Sequence, residues 1–172
     1  MPEQQARGTL RHVDPLAPRG RLYRAYAQLL SSRVVLWLSR HVGWKVDPVL
    51  LRLTGGRLGL GLVLPTGLLE TRGARTGQLR RNVLIYFHDG ERVTLIASKA
   101  GAPEHPSWFH NARANPDVTF GGQPFRAEVV SGESERSRLF ALADRVFPPY
   151  ADYRESTARI GRSIPIVQLI PR

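Results

Sequence analysis

Residues 71–111 read TRGARTGQLRRNVLIYFHDGERVTLIASKAGAPEHPSWFHN, and the fold follows from how this stretch is punctuated. Gly73 and Gly77 bracket a basic turn. Val83, Ile85 and Phe87 then alternate with Leu84, Tyr86 and His88 as far as Asp89-Gly90, and Val93, Leu95 and Ala97 alternate on the far side. Two alternating runs joined by Asp-Gly predict a β-hairpin, because both residues accept the positive φ angles of a tight turn. Ser98-Lys99-Ala100-Gly101 ends the second arm. Pro106 then opens a helix that carries Trp108 and Asn111 three residues apart, hence on one face.

The pattern continues on both sides. Upstream, Leu68 to Thr71 reads as a strand ending at Gly73. Downstream, Val118 to Phe120, a Gly121-Gly122 turn, and Phe125, Ala127 and Val129 alternating with Arg126, Glu128 and Val130 predict a second hairpin. Glu133 to Phe147 is helical, with Leu139, Leu142, Ala143 and Val146 on one face. After Pro148-Pro149 a short helix runs to about Arg159, and residues 164–170 form a closing strand. Short antiparallel strands with helices at the joins predict an α+β domain over residues 61–172, built on a small antiparallel barrel. The chain shows no βαβ alternation and no internal repeat, which argues against a doubly wound nucleotide fold.

The N-terminal third reads differently. Residues 1–20 are polar and proline-broken and predict a disordered arm. Residues 21–60 predict a helical segment. In its first helix, about Leu22 to Val42, Tyr23, Ala27, Leu30, Val34, Trp37, Leu38 and His41 repeat at three- and four-residue steps. A second, shorter helix runs from Pro48 to Thr54. The amphipathic helix reads either as a cover on the domain or as an interfacial helix. Six basic and no acidic residues lie between Arg19 and Lys45, mixed with Tyr23, Tyr26, Trp37 and Trp44, a composition suited to an anionic membrane surface.

Composition narrows the function. The 172 residues suffice for one packed core, and a mean hydropathy of -0.25 is a globular value. The absence of cysteine removes disulfides, thiolate metal sites and cysteine nucleophiles; five scattered histidines without HxH or HExxH spacing argue against zinc. No apolar signal-type core opens the chain, and the longest apolar run near the N-terminus, Val34 to Leu38, is too short to span a bilayer, so a cytoplasmic location is expected, with peripheral contact on the inner membrane face as an extension. The net charge of +11 is uneven, +7 over residues 1–64 and +4 over residues 65–172, and calls for an anionic partner. No reading motif for nucleic acid accompanies it.

The basic turn carries the first chemical reading. Gly73 and Gly77 let the backbone turn and expose its N–H groups, while Arg72, Arg75, Arg80 and Arg81 offer forks to phosphate oxygens. A solvated basic turn has the same composition, and the GK[ST] ending of a P-loop is missing. Lys99 at a strand end suits a second anionic group, and Ser98 suits a hydrogen bond to a cofactor ring; an ordinary strand end looks the same. Trp108 and Asn111 fit a flat heterocycle, or a core indole and a helix cap. Phe147, Tyr150 and Tyr153 form an aromatic stripe that Pro148-Pro149 breaks, which points to a lid rather than a buried helix.

Taken together these pieces resemble the deazaflavin (F420)-dependent nitroreductase family, split-barrel enzymes of the FMN-binding-like superfamily. The resemblance rests on Gly73-Ala74-Arg75-Thr76-Gly77 with Arg80, on Ala97-Ser98-Lys99-Ala100-Gly101, on the run from His105-Pro106 through Trp108 and Asn111 to Asn115-Pro116, and on Tyr150 and Tyr153 with a later arginine and Ile164-Pro165. It implies a split β-barrel of six to seven strands and coenzyme F420, an 8-hydroxy-5-deazaflavin, bound by Arg75, Thr76, Gly77, Arg80, Lys99, Ala100 and Gly101. Arg75, Arg80 and Lys99 match positions facing the phosphate and acidic tail. Leu84, Ile85, Ser98, Trp108 and Asn111 match positions around the ring, and Phe147, Tyr150 and Tyr153 match aromatics on the substrate side. The implied activity is hydride transfer from reduced F420 to a quinone, nitro compound or activated alkene, with Ser98, Tyr150 and Tyr153 as hydrogen-bond or proton donors and no metal. A homodimer is compatible with this reading. An FMN-dependent split barrel and a non-redox lipid- or ligand-binding barrel are the alternatives. The sequence departs from the family at Ala74, where a second basic residue is common, at Ala100, where glycine is common, and at Phe147, where some members have tyrosine. Three extra residues before Ile164-Pro165 leave Arg159 and Arg162 both open as the matching arginine.

Overall fold

A computed structural model of the chain describes residues 10–23, 25 and 64–172. Six strands form the frame: β1 (Thr66–Arg72), β2 (Leu79–Asp89), β3 (Arg92–Ile96), β4 (Asp117–Phe120), β5 (Gln123–Val129) and β6 (Ile166–Pro171). Among the described residues after Leu64, three α-helices accompany them: α1 (Ser107–Ala114), α2 (Glu133–Val146) and α3 (Tyr150–Ala158). The strands close into an antiparallel barrel in the order β1-β2-β3-β6-β5-β4, sealed where β4 returns to β1 with Leu69 opposite Phe120. The fold is the expected α+β split barrel, with six strands.

Local signals set the hairpins. Gly90 takes φ 62 between β2 and β3, and Gly121 and Gly122 take φ 57 and 80 between β4 and β5. Gly67 answers a different need. A Cβ there would lie 2.4 Å from the Phe120 ring, so only glycine lets β1 pass close enough to close the barrel.

The core fills both sides of the central strands. Val93, Thr94, Leu95 and Ile96 are all buried, and β6 opposite them is buried from Ile166 to Leu169. Phe87, Leu69, Phe120, Leu139 and Val146 are among the largest fully buried side chains; burial of such a side chain contributes about 1.5–3 kcal/mol. Arg138 of α2 donates to both Asp89 carboxylate oxygens, at 3.0 and 2.6 Å, and Gln168 of β6 donates to Asp89 at 3.1 Å. This network ties α2 to the β2–β3 turn and holds the Asp89 carboxyl below its usual range, chiefly through the Arg138 hydrogen bonds.

The N-terminal arm needs a correction for residues 10–20. They have little regular structure, but they are anchored. The Tyr86 hydroxyl donates to the Arg11 carbonyl at 2.7 Å. The Val13 N–H donates to His88 Nδ1 at 3.0 Å, and the His88 N–H donates back to the Val13 carbonyl at 2.8 Å. Composition marked this stretch as unable to bury apolar surface, yet its anchors are backbone groups plus buried Val13. Beyond it, Arg21, Leu22, Tyr23 and Ala25 are helical, and the Tyr23 hydroxyl donates to the Val146 carbonyl at 2.6 Å. The rest of the helix expected to Val42, and the one expected over Pro48 to Thr54, lie outside the described residues.

Candidate active site

The site is assembled around α1. The turn between β1 and β2 closes through backbone bonds from Gly73 N–H to the Gln78 carbonyl and from Gly77 N–H to the Gly73 carbonyl, both 2.8 Å, with Gly77 at φ 66. Asn111 of α1 accepts the Ala74 N–H at 3.0 Å and donates to Thr71 Oγ1 at 3.4 Å. Asn115, at the end of the helix, donates to the Arg72 carbonyl at 3.3 Å. The C-terminal half of α1 therefore fixes the basic turn. Arg75 and Arg80 are exposed on it; Arg80 donates to Gln78 at 3.1 Å. Among the described residues, Arg72, Arg75 and Arg80 have no carboxylate partner, whereas Arg81 is paired with Glu70 at 2.7 Å.

Upstream of α1 in the chain lies a strained turn. Lys99 and Ala100 both have φ 51, followed by Gly101 at φ 73. Left-handed backbone costs a non-glycine residue roughly 1–2 kcal/mol, and such strain survives only where the surroundings impose it. Gly101 has a second reason to be glycine: a Cβ there would sit 2.8 Å from Ser156 Oγ and 3.5 Å from Tyr153 Cδ1. The turn is thus pressed onto α3. Ser98 is buried, and Lys99 pairs with Glu104 at 2.9 Å.

The expected ring residues divide. Trp108 and Asn111 are buried, while Leu84 and Ile85 are partly buried against the core. Asn111 also holds the β1–β2 turn, through one bond from each end of its amide.

The aromatic stripe also needs correction. Phe147, Tyr150 and Tyr153 are not a lid: all three are less than one-tenth exposed and form one cluster, with Phe147 edge-on to Tyr150 at 5.1 Å and Tyr150 edge-on to Tyr153 at 6.3 Å. Pro148-Pro149 does not detach the segment; it ends one helix and starts the next, packed on the Gly101 turn. Burial, aided by the Asp152 charge, pushes the Tyr153 phenol up to about 12. Tyr150, which lies deeper, is raised too, chiefly by burial. Both phenols are proton-bearing donors at neutral pH. The structure thus brings Gly101 against Tyr153, and the Gly101 N–H onto the Ser98 carbonyl at 3.2 Å, while Arg75 and Arg80 stand on the separate β1–β2 turn.

Glu104 was missed in the sequence, and the partners of His105 and Arg162 were not legible there. Glu104 lies five residues after Lys99, and its opposite charge was the available signal. His105 accepts a hydrogen bond from Arg162 Nε at 3.2 Å, which nothing local announces. Arg159 and Arg162 separate cleanly: Arg159 is exposed and paired with Glu155, and Arg162 is buried. Gly161, at φ 70, was the signal, since its left-handed turn is what redirects the chain after α3. Among the described residues no group of His, Asp and Glu is arranged to hold a metal ion, and no helix is long and apolar enough to cross a membrane.

Comparison with known proteins converges on one family. The model of the F420H(2)-dependent quinone reductases matches residues 45–171. An F420H(2)-dependent quinone reductase of Mycobacterium tuberculosis is 35% identical over 147 residues, covering 79% of this chain and 97% of the relative. A solved F420-H2 dependent reductase aligns with TM-score 0.53 and 35% identity over 61% of this chain and 93% of its own. Another solved structure, described as a domain-swapped dimer, aligns with TM-score 0.55 and 30% identity over 77% of this chain and 96% of its own. The chain belongs to the F420H(2)-dependent quinone reductase family.

Proposed function

We propose that this protein transfers a hydride from reduced F420 to a quinone. One observation carries the reading: exposed cations without carboxylate partners stand on the turn that α1 holds, Lys99 stands on a second turn, and Leu84 and Ile85 are partly buried apolar residues of the same barrel. That arrangement fits a flat heterocycle with an anionic tail. Arg75 and Arg80, with the turn at Thr76 and Gly77, and Lys99, with Ala100 and Gly101, would hold the phosphate and acidic tail through charge-assisted hydrogen bonds. Leu84, Ile85, Ser98 and Trp108 would orient the ring.

When bound, F420H2 supplies a hydride and, lacking a stable semiquinone, favours two-electron transfer. The residues of the chain do the rest. Phe147, Tyr150 and Tyr153 supply an apolar, water-poor wall for the quinone. As a quinone oxygen gains negative charge, a buried phenol or the Ser98 hydroxyl donates a hydrogen bond or proton to it. Tyr153 has the stronger claim, because it packs directly against the Gly101 turn. Nitro compounds and activated alkenes accept a hydride by the same geometry.

The test is oxidation of F420H2 by the full chain with a quinone present, read from the returning absorbance of the oxidised deazaflavin, with FMNH2 as control. Turnover with F420H2 is expected. Turnover with FMNH2 alone would assign the chain to flavin chemistry, and binding without turnover would make it a ligand-binding barrel.

Two further features belong to this proposal. Likeness to a domain-swapped dimer favours a second copy of this chain as partner, which sedimentation of the purified protein checks. The charge of +7 over residues 1–64 supports contact with an anionic membrane surface. Equal recovery on neutral and anionic vesicles would remove that second feature.

A further inference from the structure

Arg162 takes no part in the scheme above, yet it is 9% exposed and sits beneath the Lys99 turn. Its Nη1 donates to the Ser98 carbonyl at 3.0 Å and to the Ala102 carbonyl, and its Nη2 donates to the Ala97 carbonyl at 2.8 Å. Its Nε donates to His105 Nδ1, at the approach to α1. One side chain thus gathers the whole segment from the end of β3 to the start of α1. The local backbone delivers it there. Gly161 N–H bonds the Ala158 carbonyl at 3.0 Å and Arg162 N–H bonds the Thr157 carbonyl at 2.9 Å, a Schellman-type closure that ends α3 and turns the chain inward.

The carbonyls held by Arg162 determine where the amides point. Ser98 is right-handed (φ -71, ψ -37), Lys99 has φ 51, and Ala100 is left-handed (φ 51, ψ 39). A right-handed residue followed by a left-handed one turns consecutive N–H groups toward a common concave side, a geometry that binds anions. Gly101 and Ala102 use their N–H groups on the carbonyls of Ser98 and Lys99. Among the described residues, the N–H groups of Ser98, Lys99 and Ala100 have no acceptor.

We propose that Arg162 is the positioning residue for the cofactor's anionic tail: by gathering the carbonyls of Ala97, Ser98 and Ala102, it presents the N–H groups of Ser98, Lys99 and Ala100, beside the Lys99 ammonium, to a phosphate. The inference rests on the F420 reading and adds to it a residue that does not touch the ligand. Arginine is required because its planar fork reaches several acceptors at once, whereas lysine is a single ammonium on a flexible stem.

The experiment compares wild type and Arg162→Lys for affinity toward intact F420 and toward the 8-hydroxy-5-deazaflavin chromophore lacking phosphate and acidic tail. Both are read by fluorescence titration, with near-UV circular dichroism as the check on folding. Arg162→Lys is expected to weaken F420 binding about ten- to a hundred-fold, the scale of a charge-assisted hydrogen bond lost, and to leave the tail-less chromophore within about three-fold. General loosening of the site would lower both affinities together. An unchanged preference for F420 in the variant overturns the proposal and leaves the cofactor assignment standing. A wild type without any such preference overturns the tail site itself, and this proposal with it. If Arg162→Lys does not fold, amide hydrogen exchange on the wild type decides. The amides of residues 98–100 must become protected on adding F420 and not on adding the chromophore alone; unchanged exchange overturns the proposal.

Discussion

Asn111 Oδ1 accepts the backbone N–H of Ala74 at 3.0 Å across 37 positions of sequence, so the helix that leaves one end of the site fixes the turn at the other. Removing the amide leaves the Ala74 N–H without its partner and weakens the hold on the arginine-bearing turn. Asn111→Ala is expected to lower stability by about 1–3 kcal/mol, the cost of a polar partner lost from a buried site. Weaker F420 binding should accompany it. Asn111→Asp keeps the acceptor and should retain more stability, but it places a negative charge beside the turn and should weaken F420 binding further. Urea unfolding and fluorescence titration of both variants check the order.

Lys99 and Glu104 form an exposed pair at 2.9 Å, so the cation expected to meet the cofactor is already partly neutralised. Exposed pairs of this kind are screened by solvent and contribute little to stability. Glu104→Gln should therefore leave stability nearly unchanged. F420 affinity should rise about two- to five-fold at low salt, and the gain should fade as added salt screens the charge. A Glu104→Gln variant that binds F420 more weakly would mean that the carboxylate orients Lys99 instead of competing for it.

The barrel was legible because its signals are local. Asp89-Gly90 and Gly121-Gly122 mark their own turns, and alternation on either side fixes the strands. The start of β6 was less so: residues 164–165 extend the apolar run, but the pairing with β3 begins at Ile166 opposite Ile96, with Pro165 contributing only a carbonyl, to Ala97. In the site, the cations and aromatics were visible as residue types, but their connections were not. Arg162 reaches residues about 60 positions away, and His88 holds an arm 75 positions away, through backbone groups that every residue possesses. The stripe of Phe147, Tyr150 and Tyr153 misled because paired prolines signal a break in one helix without saying whether the next is buried.

Ala100 stands at φ 51, ψ 39, where a side chain is disfavoured. Ala100→Gly removes a left-handed penalty of about 1–2 kcal/mol and adds an unfolded-state entropy cost of about 0.5–1 kcal/mol. The variant should be more stable by about 0.5–1 kcal/mol, which in a domain of this size raises Tm by about 1–4 °C. Calorimetry checks the sign. A lower Tm would mean that the Ala100 methyl group contributes packing that outweighs the backbone penalty.

His88 gives the N-terminal arm an acid-sensitive anchor. Its Nδ1 must be unprotonated to accept the Val13 N–H, and burial, together with the His12 ring 4.4 Å away, lowers its pKa from 6.5. The folded value is depressed, so the unfolded chain binds the proton first as pH falls. The contribution is fully present above 6.5 and is lost as pH falls through the folded value. His105, lowered chiefly by burial and then by the Arg162 charge, acts in the same direction. Tm should therefore fall between about pH 7.5 and about pH 5, and His88→Gln should flatten that slope. An unchanged slope in the variant would place the acid sensitivity elsewhere.

Tyr153 separates binding from chemistry. It is buried, it abuts the Gly101 turn, and its phenol is pushed up to about 12, so it carries its proton throughout the neutral range. Tyr153→Phe keeps the ring and deletes the donor. If donation to the reduced quinone is its task, turnover should fall about 10²–10⁴-fold, while F420 affinity stays within about three-fold because no tail or ring contact is lost. Tyr150→Phe should cost less, since Tyr150 lies deeper in the cluster, where removal of the hydroxyl leaves the aromatic packing in place. The reverse order, with Tyr150→Phe the more damaging, would move the proton donor to Tyr150. Tyr153→Ala tests the remaining role. It opens space beside Gly101 and should raise the quinone KM whether or not the phenol donates. If Tyr153→Phe turns over like wild type and only Tyr153→Ala is impaired, the residue is a wall for the acceptor and Ser98 becomes the donor to examine. If Tyr153→Ala abolishes F420 binding while the fold persists, the tyrosine belongs to the cofactor pocket, and the acceptor must approach from another side of the barrel.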